Sequence, residues 1–117
     1  MVVASRSGAK LNMNIAALKE KLAADGFREI DVLEWEADRF NETHSHPYTA
    51  RAYILSGTLT VDCGTEATTC GKGDEFTLEP NIPHTERAGP EGVKFVCGIK
   101  RESLEPPGRR ARTGELF

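Results

Sequence analysis

Several features that would quickly assign a function are missing from this 117-residue chain. It has only three cysteines, an odd number, and no CxxC pair. That argues against a disulfide framework and against a cysteine-based zinc knuckle. No apolar run approaches the roughly 20 residues needed to span a bilayer, and the opening "MVVASRSGAKLN" lacks the long apolar segment of a secretory signal. Positive charge is not in excess either. The formal net charge is −3, whereas nucleic-acid binding needs a basic footprint. The one basic cluster, Arg109, Arg110 and Arg112, reads as a solvated tail. A cytoplasmic protein without nucleic-acid or membrane partners is expected. Cys63 and Cys70 could face each other across a hairpin centred on Glu66 and Ala67, but a reducing compartment would keep them as free thiols.

What is present has the texture of one small β domain. Hydrophobic residues make up 38% and charged residues 28%, ordinary for a globular chain large enough to bury a core. Residues 1–13 are small, polar and aperiodic and read as a flexible arm. "NIAALKEKLAADG" predicts a short helix, with Asn14 as N-cap, a stripe of Ile15, Leu18 and Leu22, and Gly26 as the stop. From Phe27 on, short alternating runs are punctuated by Gly and Pro. "REIDVLEWE" is expected to set Ile30, Val32 and Leu33 toward a core, with Trp35 nearby. "ARAYILSG" is expected to end in a turn at Gly57. "TLTVDC" puts Leu59, Val61 and Cys63 on one face, and "EFTLEP" puts Phe76 and Leu78 inward. "GPEG" predicts another turn, after which Val93, Phe95, Cys97 and Ile99 share a side. This pattern indicates an all-β sandwich or barrel. The domain is placed at 14–102, with a tail at 103–117.

All three histidines are candidates for chemistry. His44 and His46 are two apart, so on a strand they would project from one face, and imidazole is a common ligand for divalent transition metals. An isolated HxH reads equally well as a pair of exposed polar residues. The third histidine, His84, follows the Pro-restricted bend "EPNIPH" about forty residues on, and a closed barrel could bring it beside the first two.

"HSHPYTARAYILSG" and "GDEFTLEPNIPH" together resemble the two motifs of the cupin superfamily. His44 and His46, followed at the right distance by Gly57, match the first; Gly73, Asp74, Pro80, Pro83 and His84 match the second. Asn81 stands where the family usually has glycine. The resemblance covers roughly residues 30 to 100. It implies an all-β cupin double-stranded β-helix, a jelly-roll barrel, with a short N-terminal helix. It also implies a divalent transition metal held by His44, His46 and His84, with Fe(II) favoured over Ni, Mn, Co or Zn. The family's fourth ligand, a glutamate, falls at position 50, where this chain has Ala50. A methyl group cannot coordinate, and Arg51 should point to the opposite face.

Three neutral imidazoles would leave the ion's full charge, favouring a small organic anion as substrate. This resembles the three-histidine cupins, which include thiol dioxygenases and diketone-cleaving dioxygenases. Glu42 and Glu86, at matching parity, could each supply a further donor. Tyr48, Ala50, Cys63 and Cys97 are expected to line the pocket, although buried cysteine is usually a small hydrophobe. Asp74 is expected to shape the turn after Gly73. The alternative is a non-catalytic ligand-binding module, like the effector-binding domains of arabinose-responsive-type regulators, with or without metal. Small cupins commonly pair, so a homodimer is expected.

Overall fold

The computed structural model describes residues 2–6 and 14–101. Seven strands and one helix follow in the order β1 (Val2–Arg6), α1 (Ile15–Ala24), β2 (Arg28–Trp35), β3 (Phe40–His44), β4 (Tyr48–Asp62), β5 (Ala67–Gly71), β6 (Asp74–Leu78) and β7 (His84–Arg101). Every pairing is antiparallel. The long strands β4 and β7 run side by side along most of their length. Their outer halves join β1, β6 and β2 in the order β1-β6-β4-β7-β2; their other halves carry β5 and β3. The fold is the expected all-β barrel with an N-terminal helix.

The bend that lets two strands serve both halves lies where the spacing predicts turns. Neither Gly57 nor "GPEG" turns the chain back: β4 runs through Gly57, and β7 through residues 89–92. Instead the β4–β7 register shifts between Ile54 and Ser56 and again between Gly57 and Leu59. Such bulges bend and twist a ladder without ending it. Gly57 and Gly92 carry φ of 75° and 78°, and a Cβ on Gly57 would sit 2.0 Å from the Gly92 carbonyl oxygen. Gly57→Ala meets both the positive-φ penalty and a backbone clash. It is expected to cost about 2–4 kcal/mol, measurable by urea unfolding.

Alternation splits the apolar residues into two clusters. Leu33, Trp35, Ile54, Leu59, Phe76, Leu78, Phe95 and Ile99 fill the barrel. Leu18, Leu22, Phe27, Tyr53 and Val96 pack between α1 and the outside of the sheet. On β2 the two faces serve different cores: Leu33 and Trp35 face the barrel, and Ile30 and Val32 pack against the helix cluster. Asn14 caps α1 by accepting the Ala17 N–H at 3.2 Å. The helix closes in a Schellman arrangement, with Phe27 N–H donating to the Leu22 carbonyl and Gly26 N–H to the Ala23 carbonyl. Arg51, outward as expected, ties this end to the sheet through Asp25 at 3.0 Å and Glu75 at 3.3 Å.

Val2–Arg6 form an edge strand on β6 where the sequence predicts an aperiodic arm; residues 7–13 and the tail at 103–117 lie outside the described residues. Cys63 and Cys70 do not face each other. Asp62 pairs with Ala67, which centres the hairpin nearer Gly64, and Cys70 lies opposite Leu59. Both are free thiols, as is Cys97. No described helix is long and apolar enough to cross a membrane.

Candidate metal centre

β3 and β7 begin the site. His44 ends β3 directly opposite His84, the first residue of β7, so cross-strand pairing brings their ring centroids to 4.5 Å. His46 is not on the same strand as His44; it lies in the short link before β4. It still turns inward, 5.2 Å from His84 and 6.0 Å from His44 between ring centroids. The link is pinned by the Asn81 N–H donating to the His46 carbonyl at 2.8 Å. Asn81 has φ of 63°, a left-handed conformation that glycine and asparagine accept best. That accounts for asparagine at this motif position. Tyr48 stacks flat on His46, 4.4 Å between centroids, and is buried.

One nitrogen of each ring is committed to the backbone. His44 Nδ1 lies 2.7 Å from the Glu42 carbonyl oxygen, His46 Nδ1 3.3 Å from that of Tyr48, and His84 Nδ1 2.8 Å from that of Ile82. A carbonyl can only accept, so each Nδ1 carries the hydrogen. In the neutral rings this leaves three bare Nε2 lone pairs. All three Nε2 atoms are buried without a hydrogen-bond partner, and the three rings can each offer an atom within 4.8 Å of the others. Converging, unpaired acceptors would be costly in a protein interior. Backbone-oriented imidazoles with inward Nε2 are the arrangement that binds a divalent transition metal, so these residues fit the ion the motifs imply.

A carboxylate stands beside them. Glu86, two residues after His84 on the same face of β7, is 1% exposed. Its Oε1 is 3.4 Å from His44 Nε2 and its Oε2 is 3.5 Å from His84 Nε2. Glu42 does not join it: its side chain is exposed and only its carbonyl takes part. The cause is the register shift between Asn41 and His44, which puts Asn41 opposite Glu86, where an unbroken count would put Glu42. Asn41 Nδ2 donates to Glu86 Oε1 at 3.0 Å, and Arg39 Nε donates to Asn41 Oδ1 at 3.3 Å. No motif marks Asn41 or Arg39; only the bulge reveals them.

The other expected pocket residues divide. Ala50 is fully buried in the barrel core, between Leu78 on β6 and Ile99 on β7. Cys97 is buried in the same cluster, and burial pushes its thiol pKa well up. Cys63 is half-buried beside a cleft of about 220 Å³ shared with Thr43, Asp62, Pro83, His84 and Thr85. Desolvation, with smaller contributions from Glu66 and Asp62, raises its pKa too, so neither thiol is an activated nucleophile. Asp74 Oδ2 accepts the Gly71 N–H at 2.8 Å and so shapes the turn, as expected.

Burial, and next the charge of a protonated His84, lower the His46 pKa from 6.5 to about 4, keeping that ring neutral at physiological pH. Burial also opposes charge on His84, but the facing Glu86 carboxylate and the Ile82 carbonyl outweigh it and raise its pKa. The signs differ. Between pH 6.5 and about 4 the unfolded chain protonates position 46 and the folded chain does not, so acidification through that window destabilises the fold. At about 1.4 kcal/mol per unit this reaches about 3 kcal/mol. The His84 contribution runs the other way: it is present below the unfolded pKa and is lost as pH rises through the folded one. Urea unfolding of metal-free protein from pH 7 to 4 should show stability falling, and His46→Gln should flatten that fall.

The protein-family profile described as "Cupin domain" matches residues 32–98, the stretch holding all three histidines. A search of curated protein sequences returned no match. Among solved structures, a DUF861 family protein from Thermotoga maritima superposes with a TM-score of 0.58 at 16% identity, over 83% of this chain and 97% of that one. A cupin-2 domain protein from Shewanella frigidimarina gives 0.54 at 18% identity, over 62% and 69%. A conserved protein of unknown function from Streptococcus pyogenes gives 0.58 at 23% identity over 64% of this chain. This chain spans 65% of that protein, just under two thirds of its length. At these identities the likeness speaks for the fold, and the profile match carries the assignment: the chain belongs to the cupin domain family.

Proposed function

We propose that this cupin is a metal-dependent enzyme of the dioxygenase type acting on a small organic anion. In this reading His44, His46 and His84 hold one divalent transition metal through Nε2, with Fe(II) the favoured ion. The observation that carries the reading is the convergence of three buried, unpartnered Nε2 atoms whose Nδ1 atoms are fixed by carbonyls. A bound ion would supply Lewis acidity and a template for an anion and dioxygen. The chain's own part is to orient the donors, to keep His46 neutral and to exclude bulk water. Tyr48 stacks behind His46 and holds that ring's plane.

The proposal includes a homodimer: among the described residues β2 is paired on one side only, and an open edge is a template for strand addition. A monomer mass in solution would remove that part.

Oxygen uptake by the iron-loaded, tag-free protein, screened against small thiols, diketones and aromatic acids, tests the enzymatic reading. Substrate-dependent uptake that disappears in His46→Ala is expected. Tight binding of one of these ligands without turnover would replace the enzyme with a ligand-binding module.

A further inference from the structure

The family glutamate is absent at position 50, yet a carboxylate faces the histidines from another strand. We infer that Glu86 is the fourth protein ligand of this centre, taking over from β7 the role the motif gives to β4. The inference rests on the metal reading above and adds a donor to it.

Four observations converge on Glu86. Its side chain is fully buried, and a buried carboxylate needs compensating charge and hydrogen bonds. Among the described residues, its Oε2 has no hydrogen-bond partner, so one oxygen is left free beside the Nε2 of His84. The free Oε2 is 3.5 Å from His84 Nε2, close to the about 3.4 Å between two donors each about 2.1 Å from one ion at a tetrahedral angle; the 3.4 Å separation from His44 Nε2 is that of the other oxygen, Oε1. Finally, the carboxylate is aimed. Asn41 holds Oε1 at 3.0 Å, and because Arg39 donates to the Asn41 oxygen, the Asn41 amide nitrogen must face Glu86. Ligating carboxylates are commonly held by such outer partners.

The chain also shows why the donor moved. Ala50 is enclosed between the buried side chains of Leu78 and Ile99 on its two neighbouring strands, and a glutamate there would have to displace core. Glu86 sits across from Val61 on β4 and Asn41 on β3, and so reaches the histidines without crossing the apolar layer. Three imidazoles and one carboxylate leave a divalent ion with a net single positive charge. One anionic substrate group still neutralises it, and a second is disfavoured.

Co(II) titration of the tag-free, metal-free protein tests this, with affinity and the visible d–d spectrum as readouts. His46→Ala is the control for the parent reading, and if it binds Co(II) as wild type does, the centre itself is wrong. With that control lost as expected, Glu86→Ala should still bind Co(II), at least about 10-fold more weakly, with an altered d–d spectrum at saturation. Asn41→Ala, at a positioning residue, should weaken binding about 10–100-fold yet reach the wild-type spectrum at saturation. A Glu86→Ala protein with wild-type spectrum and affinity would overturn the inference. So would a reduced affinity with an unchanged saturated spectrum, which would make Glu86 an outer-shell partner only.

Discussion

Replacing His84 with alanine is expected to abolish stoichiometric metal binding. His84 is the hub of the cluster: it is 1% exposed, opposite His44 in register, and its Nε2 faces the Glu86 carboxylate. Removing the ring takes away one donor and leaves Glu86 facing an empty space. The affinity loss should exceed the roughly 10–100-fold that an outer-shell change costs. The same substitution opens a cavity under β7, so stability must be followed in parallel by circular dichroism. His44→Ala separates the two effects, because that side chain is 30% exposed and its loss should cost little packing. Isothermal titration of both variants with Co(II) or Zn(II) is the measurement. If both retain wild-type affinity, the three-histidine centre is not a metal site.

Metal is also expected to stabilise the fold strongly. The metal-free cluster holds three ring nitrogens without hydrogen-bond partners, and a cation held by the three histidines would satisfy them. By mass action, free metal at 100 times its dissociation constant adds about 2.7 kcal/mol. For a domain of this size, that is a rise in melting temperature on the order of 10 °C. Calorimetry with and without metal should show the rise, and a chelator should reverse it. His46→Ala should show no metal-dependent shift. The direction with pH follows from the site: protons on the histidines compete with the ion, so the metal-induced shift should shrink on acidification. An equal shift in wild type and His46→Ala would point to binding elsewhere.

The histidine triad was legible because ligand spacing is a local property. Both halves of the motif lie within short stretches, and the Gly73–Asp74 turn and the Pro-bracketed bend carry backbone requirements that show in the letters. Asn81 shows why the match survives a departure, since its φ of 63° is open to asparagine as well as glycine. What the sequence hid depends on register. Gly57 and "GPEG" look like turns in one dimension, and become an irregularity within long strands only because β4 and β7 pair on both sides of them. The same holds at the site: parity gives Glu42 and Glu86 equal standing, and a single register shift in β3 separates them. On β2, alternation was visible but the face was not. Which side met the barrel depended on where α1 packed.

The claim that His44, His46 and His84 form one metal centre is tested most directly by crystals of the metal-loaded, tag-free protein, measured on both sides of the metal's absorption edge. The account predicts a single anomalous peak bonded to the Nε2 atoms of all three histidines. No peak at that point, or a peak bonded to other side chains with the three Nε2 atoms left bare, would contradict it.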